Sequence, residues 1–172
     1  MPTKILFIGD SITASFGSDH FGSNLVVRNQ GVSGDSTVEY LSRMKKEWFE
    51  FEPDYISLCI GTNDFARFRS NKFIINKIEE IIKEIKKYSN SKIILTSIFP
   101  TRDNKPRPNS RIDKLNIEIK NLAQKTNSIF LNLNTLMKDQ TNQLKQEFTE
   151  DGLHLTDKAY KLWTLELVRI TK

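Results

Sequence analysis

The sequence predicts a three-layer α/β/α fold around a five-stranded parallel sheet, and three observations carry the prediction. Strand-like and helix-like segments alternate from end to end of the 172 residues, a pattern that implies right-handed crossovers and a sheet with helices on both faces. Several of the strand-like segments are nearly continuous apolar runs, as strands covered on both faces require. No internal repeat, low-complexity tract or interdomain linker interrupts the alternation. One domain over residues 1–172 is therefore expected, long enough to bury a core without disulfide or metal staples.

The first strand is expected over residues 4–8, a short apolar run that ends in Gly9-Asp10-Ser11. Residues 25–28 form a weaker second strand. A helix is expected over 36–51, opened by Ser36-Thr37-Val38-Glu39 as a capping box in which Ser36 and Glu39 satisfy free amides. The third strand falls at 55–60. Between 73 and 88, Ile74, Ile78, Ile81, Ile82 and Ile85 share one helical face. The fourth strand falls at 92–97, and the proline-bearing stretch 99–109 reads as a loop at the carboxyl edge of the sheet. Ile112, Leu115, Ile119 and Leu122 repeat the helical period, the fifth strand falls at 128–133, and a last helix follows Thr156 with Ala159, Leu162, Trp163 and Val168 toward the core.

Composition narrows the function classes. Hydrophobic residues make up 38% and charged residues 27%, as in an ordinary globular chain. The net charge is +5, but 26 basic residues are interleaved with 21 acidic ones, which marks solvated faces rather than a nucleic-acid surface. No apolar run approaches the roughly 20 residues of a membrane span. The N-terminal apolar stretch reads as a strand rather than an export signal, so a cytoplasmic protein is expected. The single cysteine, Cys59, lies in an apolar run and reads as a buried, inert thiol. Two histidines, His20 and His154, are too few for a His-rich metal site. Neither a metal nor an organic cofactor is expected.

In open parallel sheets, ligands bind beyond the carboxyl ends of the strands. The segments found there are Gly9-Asp10-Ser11-Ile12-Thr13 after the first strand and Gly31-Val32-Ser33-Gly34-Asp35-Ser36 after the second. Gly61-Thr62-Asn63-Asp64 follows the third, and Asp151-Gly152-Leu153-His154 comes late, after the fifth. Taken singly, each has an ordinary structural reading: Ser11 as a helix cap, Gly34 and Asp151 as turn formers, Asn63 as an Asx-turn residue. Together and in this order they resemble the four blocks of the SGNH hydrolases, also called GDSL-type esterases and lipases. Ser11, Gly34, Asn63 and His154 stand at the four naming positions, and the blocks span residues 9–154. The first block carries Ile12 where the family name has leucine.

The resemblance implies a flavodoxin-like strand order, a Ser11–Asp151–His154 triad, and an oxyanion hole made of the Ser11 and Gly34 amides and the Asn63 side chain. The chemistry is coherent. A serine hydroxyl needs a base within hydrogen-bond reach; His154 supplies it, and Asp151, three residues earlier, sets its tautomer. The Gly-x-Ser-x-Gly elbow of α/β-hydrolases is absent. Asp10, Asp35 and Asp64 are read as structural caps, and His20 as an ordinary surface residue. Arg67 and Arg69 after the Asn63 block, with Arg102, Lys105, Arg107 and Arg111 in and after the proline-rich loop, suggest a basic rim. Arg67, Arg102 and Arg107 are its substrate-binding candidates, suited to an anionic ester.

The expected activity is hydrolysis of short acyl esters, acetyl first, on a small molecule such as a carbohydrate. The segment 31–36 looks like the acetyl-ester-cleaving branches of the family, and no long apolar insertion offers room for a long acyl chain. A lysophospholipase, a thioesterase and an acyltransferase using the same triad remain alternatives. A flavodoxin-like phosphate-binding module is disfavoured, because neither a Walker pattern nor a Gly-x-Gly-x-x-Gly fingerprint occurs. A catalytically dead scaffold ranks last, since all four motif residues are present.

Overall fold

A computed structural model describes residues 1–172. Five strands form one sheet: β1 (Thr3–Gly9), β2 (Leu25–Asn29), β3 (Tyr55–Cys59), β4 (Lys92–Thr96) and β5 (Ile129–Leu131), in the order β2-β1-β3-β4-β5. Every pair is parallel, with Leu6 opposite Ile56 and Leu58 opposite Leu95. This is the flavodoxin-like order. It reverses direction between β1 and β3, where open sheets of this kind place a crevice.

Side chains along β1 alternate between two apolar layers. Leu6 and Ile8 join Ile56, Leu58, Ile93 and Leu95 under the helices α2 (Thr37–Arg43), α4 (Asn71–Tyr88) and α5 (Asn109–Lys125). Ile5 and Phe7 join Ile94 and Leu131 under α1 (Ser11–Ala14) and α7 (Asp157–Ile170). Period-two alternation with both layers apolar is what makes the strands read as continuous apolar runs. All five isoleucines of the α4 stripe are buried. In α7 the core contacts are Ala159, Tyr160, Trp163 and Leu167. Leu162 is half-buried against them, and Val168 is displaced from the core because Leu167 falls one turn beyond Trp163 on the inner face.

Three elements depart from the sequence reading. The helix expected over 36–51 is two pieces: α2 ends at Arg43, Met44 and Lys45 are extended, and a 3₁₀ segment Lys46–Phe51 follows. Its capping box is present, with the Ser36 amide donating to Glu39 at 3.0 Å. The fifth strand stops at Leu131, because Leu133 opens the short helix α6 (Leu133–Met137), whose first amides donate to Ser97 Oγ at 3.0 and 2.9 Å. Between β3 and α4 lies a further short helix, α3 (Thr62–Ala66).

Candidate functional site

The site is assembled where β1, β2 and β3 end. At the end of β1 the buried Asp10 accepts the Ile12 amide at 2.9 Å and caps α1, so Ser11 is the first helical residue and stands at the mouth of the crevice. In the same layer, Tyr160 of α7 donates its hydroxyl to the Ile12 carbonyl at 2.6 Å, and Trp163 packs on Phe16 with ring centroids 4.6 Å apart. The one-turn helix bearing Ser11 is thus held from beneath by an aromatic layer.

The segment before α7 brings His154 to Ser11. His154 Nε2 lies 3.1 Å from Ser11 Oγ, and His154 Nδ1 lies 2.6 Å from Asp151 Oδ2. The carboxylate accepts a hydrogen bond from Nδ1–H, which leaves Nε2 as the acceptor for the serine hydroxyl. Asp151 is itself fixed, its Oδ1 accepting the amides of Leu153 at 2.9 Å and His154 at 2.7 Å. Burial alone would raise its pKa, but the His154 hydrogen bond and these two amides outweigh it and hold the carboxyl at about 2. Gly152 between them has φ +83°, and a Cβ there would lie 2.2 Å from the Arg102 carbonyl oxygen. The Arg102 amide also donates to the Gly152 carbonyl at 2.8 Å. The loop after β4 therefore braces the Asp151–His154 turn through its backbone.

Gly34 and Asn63 come from the flanking loops. Gly34 has φ +83° with open space around its Cα, so handedness of the backbone, rather than a close approach, is what demands glycine. Its amide has no acceptor in the protein. Asn63, in α3, donates one amide proton to the Asp35 carbonyl at 2.9 Å, which joins the β2 and β3 loops. Asp35 and Asp64 have the structural roles read from the sequence: Asp35 accepts from Arg43 at 2.6 Å, and the fully buried Asp64 accepts Thr37 and Arg69. Asp10 also has the capping role read from the sequence, on α1. Burial pushes its carboxyl up to about 6, against the lowering pull of the Ile12 amide, His154 and Arg107.

The basic rim resolves into residues with separate tasks. Arg67 pairs with Glu39 and donates to the Gly34 carbonyl at 3.0 Å, which braces the Gly34 loop. The Arg102 guanidinium is paired with Asp139 and donates to the Leu144 carbonyl at 2.6 Å. Arg69 pairs with Asp64, and Arg111 donates to the Arg69 carbonyl. Arg107 alone among the three substrate-binding candidates reaches the Asn63 side chain, at 3.1 Å. Its half-buried guanidinium has no carboxylate salt-bridge partner.

His20 is not the surface residue expected. Its side chain is buried against the rings of Phe16 and Tyr160, and Nε2 lies 3.2 Å from Asp157. Asp19, His20 and Asp157 are the one group of ligand-type side chains close enough to share a metal, but two of the three are exposed and the imidazole is already bonded. Cys59 is buried, and burial pushes its thiol well above the ordinary range, so it is inert as read. No helix is long and apolar enough to cross a membrane.

A model of the GDSL-like Lipase/Acylhydrolase family matches residues 7–162. An acetylxylan esterase of Geobacillus stearothermophilus is 25% identical over 165 residues, covering 74% of this chain and 74% of that protein. An N-acylneuraminate cytidylyltransferase of Escherichia coli is 27% identical over 155 residues, covering 87% of this chain and 36% of that protein, so the chain spans about a third of that relative. The solved structure of a lipase/acylhydrolase from Enterococcus faecalis superposes with a TM-score of 0.82 at 26% identity, covering 98% of this chain and 94% of that one. The chain belongs to the GDSL-like lipase/acylhydrolase family, ester hydrolases of the SGNH superfamily.

Proposed function

We propose that this ester hydrolase cleaves short acyl esters, acetyl first, from a polar small molecule of carbohydrate type, with Ser11 as nucleophile. The observation that carries the reading is the continuous relay from Ser11 Oγ through both nitrogens of His154 to Asp151. Ser11 attacks the ester carbonyl as His154 Nε2 takes its proton. The imidazolium, steadied by Asp151, returns that proton to the leaving alcohol. Water then repeats the sequence on the acyl-serine and releases the acid. The Ser11 and Gly34 amides and one N–H of Asn63 are the donors for the oxyanion of each tetrahedral intermediate.

Two features favour a small acyl group and a polar alcohol. The His154 and Asp151 side chains are 48% and 54% exposed, so the pair lies in an open site with room for a polar alcohol rather than at the foot of a deep apolar channel. The depression that adjoins the site through Arg107, of ≈ 330 Å³, is lined by polar side chains and one proline, including Asp103, Lys105, Asn109 and Gln143. The similarity to an acetylxylan esterase points the same way. The test is the initial rate on p-nitrophenyl acetate, butyrate and octanoate for wild type and Ser11→Ala. Rates should fall with chain length, and the variant should drop to background, since losing such a nucleophile costs on the order of a millionfold. Equal rates in both proteins would remove Ser11 from the mechanism; a preference for octanoate would move the lysophospholipase alternative forward.

A further inference from the structure

The geometry points to Arg107 as a positioning residue that locks the side-chain amide of Asn63 in the one orientation able to stabilise an oxyanion. This rests on the proposed role of Asn63 and assigns Arg107 a task other than holding substrate. An asparagine amide is nearly symmetric in shape, so nothing steric prevents it from rotating by half a turn and presenting its oxygen where its nitrogen stood. Here three contacts decide the orientation. Arg107 donates from Nη2 to Asn63 Oδ1 at 3.1 Å and from Nε to the Thr62 carbonyl at 3.0 Å, so one guanidinium spans two consecutive residues. On its other side, Asn63 Nδ2 donates to the Asp35 carbonyl at 2.9 Å. The reversed amide would set NH₂ against a guanidinium and its oxygen against a carbonyl, two repulsive contacts in place of two attractive ones.

The arrangement also leaves one Asn63 N–H without an acceptor in the protein. A donor held by its neighbours and left unspent is what an oxyanion site requires, because it costs no reorganisation when charge develops. The positive charge behind Oδ1 draws electron density away from the nitrogen and strengthens that donor. Arg107 is well suited to this task. The rigid planar fork of a guanidinium holds two acceptors at a fixed spacing, which the compact, freely rotating ammonium of lysine does not, and Arg107 has no carboxylate partner that would draw it away. Burial lowers the pKa of Arg107, and the buried Asp10 next to Ser11 acts on it in the opposite direction.

The experiment is a double-mutant cycle on p-nitrophenyl acetate with wild type, Asn63→Ala, Arg107→Ala and the double variant, with Arg107→Lys and Ser11→Ala beside them. Removing an oxyanion donor costs about a hundred- to a thousandfold in kcat, so Asn63→Ala should fall in that range. Arg107→Ala should lose about ten- to a hundredfold in kcat with KM unchanged, since it loosens the donor rather than deleting it. In the Asn63→Ala background the same change should cost less than about twofold, the signature of one residue acting through another. Arg107→Lys, which keeps the charge and loses the fork, should fall between wild type and Arg107→Ala; it also carries the test if Arg107→Ala fails to fold. A full Arg107→Ala loss in the Asn63→Ala background, or a rise in KM in place of the fall in kcat, overturns the inference and makes Arg107 a substrate contact. Normal kcat in Asn63→Ala with Ser11→Ala inactive overturns it as well, while activity in Ser11→Ala would be the failure of the nucleophile assignment alone.

Discussion

Asp10→Asn offers a quantitative check on the electrostatics beneath Ser11. Asp10 is 3% exposed, and burial raises its carboxyl to about 6 from an ordinary 3.8. At about 1.4 kcal/mol per pH unit, ionising it in the folded protein costs about 3 kcal/mol of stability. The sign follows from which state holds the proton longer. The folded chain keeps it to about pH 6 and the unfolded chain gives it up near pH 4. The wild type is therefore most favoured below pH 4, loses stability from this group as pH rises toward 6, and levels off above. Asparagine does not titrate, and its side-chain oxygen can still accept the Ile12 amide that caps α1. Its NH₂ introduces a fixed offset, with no pH dependence. Urea unfolding of both proteins at intervals from pH 3 to pH 8 should show the variant gaining on the wild type by about 3 kcal/mol across the window. Since the His154 charge is one of the influences that lower Asp10, the gain should be larger in a His154→Gln background. A difference that stays constant with pH, or runs the other way, would refute the claim that Asp10 is held against ionisation.

Two further outcomes probe the Asp151–His154 turn. Gly152→Ala puts a Cβ where the Arg102 carbonyl stands, at a φ of +83°; positive φ alone costs about 1–2 kcal/mol, so the urea midpoint should fall and kcat with it as Asp151 and His154 shift, while an unchanged midpoint would show that the brace does not hold. Asp151→Asn offers an NH₂ to His154 Nδ1 in place of an acceptor and favours the wrong tautomer, so kcat should fall by between about a hundred- and ten-thousandfold; a loss under tenfold on p-nitrophenyl acetate would mean that Asp151 does not set the imidazole.

The sequence by itself determined the layers, because burial on both faces leaves a signal that local composition can express. The apolar runs of β1, β3 and β4 and the isoleucine stripe of α4 all lie where their periodicity put them. Its misjudgements came where tertiary contacts overrule local preference. The helix after Ser36 breaks at Met44 despite a helical pattern, Leu133 leaves the sheet because Ser97 offers an acceptor to its amide, and His20 is covered by Tyr160 of the distant last helix as well as by its neighbour Phe16.

The residues gathered at the site were legible as motifs, since each block needs particular residue types at short spacing: a glycine at φ +83°, or an Asp three residues before its His. What the chain could not express locally is which long side chain meets which partner. Arg67, Arg102 and Arg107 are equivalent cations in the sequence. Only the packed loops give the first to Glu39, the second to Asp139 and the third to Asn63. The same holds for the elevated pKa of Asp10, which arises from the desolvation that the surrounding layers impose. Hydrophobic period and turn chemistry are properties of a few neighbouring residues, whereas desolvation and the choice among equivalent cations' partners depend on segments 28 to 44 residues apart and exist only once the chain has folded.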